Sequence, residues 1–206
     1  MEHVDVALCL AMDVSASVNF EEFALMVGGT AAALRDPSVV AAATSGPRGA
    51  AAICLLFWSG TGNHDLALGW ARLDGARSAA AIAEAIDNAP RLPRAGATAL
   101  GEGMAAGLAL LATCPADARR LVMDVSGDGR HNQGRLPGPV RDLGVDAGVT
   151  INGLAILDVE PDLLDHYLAE VVGGPGSFAM SCADHADFAL AIMHKLQREL
   201  GGALVA

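Results

Sequence analysis

Four nearly continuous apolar runs, at residues 4–12, 50–58, 121–125 and 149–157, constrain this chain more than any other feature. A strand that is apolar at odd and even positions alike has no face to give to water, so each run reads as a strand buried on both sides of a sheet. Helical patterns separate them. Phe20, Phe23, Val27, Ala31 and Leu34 recur at spacings of three and four and stop before Pro37. Further helices are predicted at 76–89, where Ile82 and Ile86 share a face, at 100–114, 140–146 and 161–172, and finally where Phe188, Ile192 and Leu196 align. Residues 41–48 read as a loop, 59–63 as a turn, 64–70 as an antiparallel edge strand, 91–96 as a loop and 177–180 as a short strand. Strand and helix alternate throughout. The pattern predicts an α/β fold: a three-layer, doubly wound, mostly parallel sheet with one short antiparallel edge strand. With 206 residues and neither repeat nor linker, the expectation is a single domain over 1–206, with its core at about 4–200 and a fraying tail at 201–206.

Composition narrows the function. A formal net charge of −11, with one lysine and scattered arginines, argues against nucleic acid, which requires clustered cations. No apolar run is long enough to cross a bilayer, so no transmembrane segment is expected. At 52% hydrophobic and 18% charged residues the chain is too apolar for disorder. Cys9 and Cys54 sit inside apolar runs and read as core thiols, while Cys114 and Cys182 are expected to be more exposed. Met1-Glu2-His3 leads straight into the first strand without a basic leader region. The expectation is a cytoplasmic protein if Met1 is the native start, and a periplasmic or secreted one if a leader was removed.

The first strand delivers a chemical motif. Asp13-Val14-Ser15-Ala16-Ser17 follows Met12, and Asn19 with Glu21 and Glu22 reads as a helix cap with acids in the first turn. Residues two apart on an extended chain point the same way, which aims Asp13, Ser15 and Ser17 at one spot. One carboxylate and two hydroxyls are hard oxygen donors that suit Mg²⁺ or Mn²⁺ better than zinc or copper, with Ca²⁺ a poorer fit. Alone, the string is also what ordinary turns and caps use. Its company changes that. In a doubly wound sheet, ligands bind beyond the carboxyl ends of the strands where strand order reverses. Asp128 leaves the end of the third apolar run, and Thr98 precedes a helix.

These five residues, Asp13, Ser15, Ser17, Thr98 and Asp128, resemble the metal-ion-dependent adhesion site (MIDAS) of von Willebrand factor A (vWA) domains: D-x-S-x-S, a lone Thr, then an Asp before Gly. The resemblance extends from residue 4 to about 200. Within that superfamily the chain is most similar to a bacterial vWA-like family of DUF1194 type. The shared pieces are the run from Leu10 to Ser15, Trp58-Ser59, the run from Asp124 to Gly129, the run from Ile151 to Leu154, and Gly173-Gly174-Pro175-Gly176. Ala16 stands where Gly is usual, and His131 precedes Asn132 where paired asparagines are common. The resemblance implies that the three hydroxyls bind the ion directly or nearly so, that the aspartates help directly or through water, and that one position stays open for an Asp or Glu carboxylate of a partner protein.

Other residues have duller readings beside functional ones. Asp124 reads either as an acid that orients ligands or waters, or as a strand-end carboxylate capping amides; Ser126 stands with it near the site. His131 and Asn132 are placed at the rim, with plain loop decoration the stronger alternative. Trp58 and Trp70 read as packing residues. The glycine run at 173–176 lacks the Lys and Ser/Thr of a phosphate loop and reads as a sharp turn. The expected function is a divalent-metal-dependent protein-binding module without chemistry of its own. The alternative is a Mg²⁺-dependent hydrolase or phosphohydrolase on the same acids, which would lack cationic help, since only Arg130 is near.

Overall fold

A computed structural model describes residues 2–91 and 96–201. The sheet holds six strands: β1 (His3–Asp13), β2 (Ala51–Trp58), β3 (His64–Leu73), β4 (Asp117–Gly127), β5 (Val149–Ile156) and β6 (Ala179–Cys182). Their spatial order is β3-β2-β1-β4-β5-β6, with β3 antiparallel and all other pairs parallel. Strand order therefore reverses between β1 and β4, the adjacency required for Asp13 and Asp128 to meet.

Two hydrophobic layers cover the sheet. Even-numbered β1 side chains, Val6 to Met12, pack under α1 (Phe20–Arg35), α2 (Pro37–Ala43), α3 (Ala76–Asp87) and α7 (Phe188–Gly201). Odd-numbered Ala7, Cys9 and Ala11 pack under α4 (Leu100–Ala112), α5 (Pro137–Asp146), α6 (Leu163–His166) and the π-helical turn Tyr167–Val171 that continues it. This is the doubly wound arrangement that the apolar runs predict. On the first layer Phe23 meets Phe57 edge to face at 5.3 Å between centroids.

Several boundaries differ from the sequence reading, each for a local reason. Pro37 looks like a stop but occupies the first turn of α2, where a missing N–H costs nothing and Asp36 caps the Ser38 N–H at 2.8 Å. Part of the expected loop at 41–48 is therefore helix. β4 begins at Asp117 because its register with β1 runs back to the His3 pair, carrying Arg119 and Arg120 into the strand despite their polarity. The edge strand β3 likewise continues past Trp70 to Leu73, opposite Ala51. The expected loop at 91–96 and tail at 201–206 lie mostly outside the described residues. All four cysteines are free. Cys182, expected to be exposed, is buried under the α7 layer.

Candidate metal centre

Five loop residues converge at the carboxyl ends of β1 and β4. The Asp13 carboxylate turns back on its own chain, and its Oδ1 accepts the Ser15 N–H at 2.7 Å, closing an Asx turn. The Ser15 and Ser17 hydroxyl oxygens then lie 3.1 Å apart, and Ser17 donates to Asp128 Oδ1 at 2.8 Å. Thr98 comes from the other side. Its Oγ1 lies 3.5 Å from the point a Cβ on Gly129 would occupy, so it borders the Asp128 loop.

Main-chain hydrogen bonds hold these loops in register. Val14 N–H donates to Trp58 O at 2.8 Å, Ala16 N–H to Gly96 O at 2.9 Å, and Ala99 N–H to Ser59 O at 2.8 Å. Gly96 and Gly60 touch closely enough that a Cβ on Gly96 would stand 2.8 Å from Gly60 N. Arg91 adds a clamp that the sequence did not announce: its guanidinium donates to the carbonyls of Val14, Ser15 and Val18 and lies 5.0 Å from the Phe20 ring centroid. Ala16, where Gly is usual, needs no special backbone, since among the described residues only glycines have positive φ.

The electrostatics are those of an acidic pair in short supply of cations. Burial, then the nearby Asp128 charge, pushes the Asp13 carboxyl from 3.8 up to about 8. Burial also raises Asp128, against the hydrogen bond from Ser17 and the proximity of His185. Asp13 Oδ2, Asp128 Oδ2 and the Tyr167 hydroxyl are all buried without a hydrogen-bond partner. Tyr167 is the residue that pattern reading missed. Its hydroxyl and Asp13 Oδ2 lie 2.9 and 3.0 Å from where a Gly127 Cβ would sit, so only glycine fits at the end of β4. A lone tyrosine on an otherwise apolar helical face was the available signal, and π-turns recur at functional sites. Two orphaned carboxylate oxygens beside three hydroxyls form a donor set that fits a hard divalent cation.

Two of the expected neighbours belong elsewhere. Asp124 lies on the opposite face of the sheet from Asp13, where its Oδ2 pairs with Lys195 Nζ at 2.7 Å and its Oδ1 accepts from the Ser126 hydroxyl at 3.0 Å. The alternation of β4 sends even residues toward α7, so neither Asp124 nor Ser126 serves the five-residue cluster. Asn132 is more than loop decoration: its Oδ1 accepts the Thr98 N–H at 2.9 Å and its own N–H donates to Thr98 O at 3.0 Å. That reciprocal pair fixes Thr98. His131 is half-buried beside it, with a main-chain N–H directed at His166 Nε2 at 3.4 Å; burial lowers its imidazole pKa. Trp58 is core, covered so tightly by α4 that a Cβ on Gly103 would stand 2.5 Å from the indole.

The fold is that of a vWA domain, as three solved structures show. The von Willebrand factor type A protein from Catenulispora acidiphila is 18% identical with a TM-score of 0.66, covering 97% of this chain and 43% of that one. Mussel byssus proximal thread matrix protein 1, in a structure with a zinc-occupied MIDAS motif, is 20% identical with a TM-score of 0.64, covering 95% of this chain and 45% of that one. The vWF domain of the type V pili tip protein Mfa5 from Porphyromonas gingivalis is 10% identical with a TM-score of 0.63, covering 99% of both chains. This chain spans less than half the length of the first solved chains it matches. A family model described as "Protein of unknown function (DUF1194)" matches residues 3–204, and the chain belongs to that family. No curated protein matches.

Proposed function

We propose that this chain is a divalent-metal-dependent protein-binding module. Asp13, Ser15, Ser17, Thr98 and Asp128 hold Mg²⁺ or Mn²⁺, and a partner's Asp or Glu carboxylate completes the coordination. The observation that carries this reading is the pair of buried oxygens, Asp13 Oδ2 and Asp128 Oδ2, which have no hydrogen-bond partner and no ion pair among the described residues. With hydroxyls supplying most of the donors, a bound ion retains enough positive charge to attract one more carboxylate. The mussel protein's zinc-occupied MIDAS and the pilus location of Mfa5 are in keeping with an adhesion-type use.

Hydrolysis is the alternative, and His131 is its best support, because its Nδ1 is buried, unpartnered and on an imidazole kept neutral by burial. The nearby cations among the described residues oppose it. Arg130 is paired to Glu160 at 3.0 Å and Asp162 at 2.6 Å, and Arg91 is engaged by carbonyls, leaving little to stabilise a transferring phosphoryl group. Calorimetric titration of Mg²⁺ and Mn²⁺ into chelator-treated protein tests the first reading. The parent should bind one ion, Asp13→Ala and Thr98→Ala should lose it, and a glutamate-bearing peptide should bind only with the ion present. A parent that stays folded and binds no ion would refute it. Metal-dependent turnover of a phosphate ester, lost in His131→Ala, would favour the alternative.

A further inference from the structure

A second group of metal-binding side chains lies beside the first without sharing a residue with it. Glu22 from the first turn of α1, Asp158 after β5 and His185 before α7 place ligand atoms within 4.8 Å of one another. His185 is 3% exposed, yet neither ring nitrogen has a hydrogen-bond partner. A buried imidazole normally satisfies at least one nitrogen, because a polar group taken out of water and left unpaired loses its hydration without replacement. The nearest acceptor does not answer the need: Asp158 Oδ2 lies 3.6 Å from Nδ1, beyond hydrogen-bond reach. That separation is close to the distance between two ligands of one tetrahedral ion, roughly 3.4 Å for bonds of about 2.1 Å. Glu22 has an oxygen to spare, since its Oε2 takes the Asn19 N–H at 2.7 Å in the capping box and Oε1 remains. Asp158 is exposed and Glu22 half-buried, so both can close by about 1 Å onto an ion, whereas the packed imidazole fixes the position.

We propose that Glu22, Asp158 and His185 form a second divalent-cation site, selective for zinc- or manganese-class ions over Mg²⁺. Selectivity follows from the donors. Imidazole nitrogen suits Zn²⁺ and its first-row neighbours, while Mg²⁺ takes oxygen and dehydrates reluctantly. Three protein ligands leave at least one position for water or a partner's group. The site ties together the starts of α1 and α7 and the end of β5, next to the Asp128 loop, so its ion bears on the geometry of the first centre without occupying it.

The test separates the two centres by using chelator-treated Asp13→Ala protein, in which the first is disabled. Titrated with Zn²⁺ alone, this variant should still bind one ion. Adding Asp158→Asn or His185→Gln should weaken that binding at least tenfold; Asp158 is exposed, so its variant is safe for folding, and melting curves verify the other. With Mn²⁺ as the probe, pulsed electron paramagnetic resonance should show nitrogen coupling that His185→Gln removes. Asp13→Ala protein that binds no Zn²⁺, or binding undiminished by both second-site substitutions, would overturn the proposal. Failure of Mg²⁺ to bind the parent would bear only on the five-residue centre.

Discussion

Two buried acidic clusters lie on opposite faces of the same sheet, and the chain treats them differently. Toward α7, Asp124 and Glu199 share Lys195, the only lysine in the sequence, at 2.7 and 2.6 Å, and Asn152 donates to Glu199 at 2.8 Å. Burial and Asp124 still push Glu199 up to about 8, although Lys195 pulls the other way. Toward α4, Asp13 and Asp128 have hydroxyls and one amide but, among the described residues, no side-chain cation at hydrogen-bond distance. The first cluster carries its counter-ion in the sequence. On the proposed reading the second takes that charge from solution, and this difference, more than burial or acidity, would separate a structural network from a binding site.

Removing cation or acid should break the symmetry in opposite directions. Lys195→Met strips the internal cation from two buried acids and should cost about 3–5 kcal/mol, read from the denaturant midpoint, with no rescue by Mg²⁺. A loss of less than 1 kcal/mol would mean that Asp124 and Glu199 simply take up protons. Asp13→Asn should do the reverse in the metal-free chain, raising its melting temperature at pH 8 by about 2–4 °C for each ~1 kcal/mol of relieved repulsion and desolvation, while abolishing the stabilisation that Mg²⁺ gives the parent. The pH dependence carries the same sign. Because Asp13 sits near 8 in the fold against 3.8 ordinarily, the folded metal-free chain holds a proton that the unfolded chain has shed. Its contribution therefore falls as pH rises from about 4 to 8, and thermal melts across that window should show stability declining without Mg²⁺ and a growing gain with it. The smallest effect is expected from Asn132→Ala, which removes the side-chain half of the Thr98 clamp: about 1 kcal/mol of stability and about tenfold in Mg²⁺ affinity by calorimetry. An unchanged affinity would show that main-chain bonds alone, from Asn132 to Thr98 and from Ala99 to Ser59, position Thr98.

The layers were legible because burial on both faces writes itself into sequence: β1, β2 and β5 fall within a residue or so of the apolar runs. β4 was not fully legible, since Arg119 and Arg120 belong to it through pairing with β1, which no local pattern records. The convergence of Asp13, Ser15, Ser17 and Asp128 followed from motif plus topology. What stayed hidden were partners set by three-dimensional neighbours: the Asn132 clamp, the Arg91 bond set and the Tyr167 hydroxyl. The partner of Asp124 stayed hidden for the same reason, although Lys195 and Glu199, four apart on an otherwise apolar face of α7, were a clue to a buried charge network. His185 had no sequence signal, because its significance lies in lacking a partner.

The placement of β1 between β2 and β4 also has a consequence for how the chain is made. β2 follows β1 after two helices, but the register partner of Met12 on the other side is Ser126, far downstream. During synthesis at roughly 5–20 residues per second, about 5–20 s pass before β4 emerges. For that interval a strand apolar from Val6 to Met12 has at least one edge unpaired, the kind of edge on which other chains stack. The carboxylates also stay apart until then, so the repulsion between Asp13 and Asp128 is met only when β4 docks. On the proposed reading divalent ions would act there as a latch between the two halves of the sheet, and depleting them during expression would be felt first as aggregation of nascent chains.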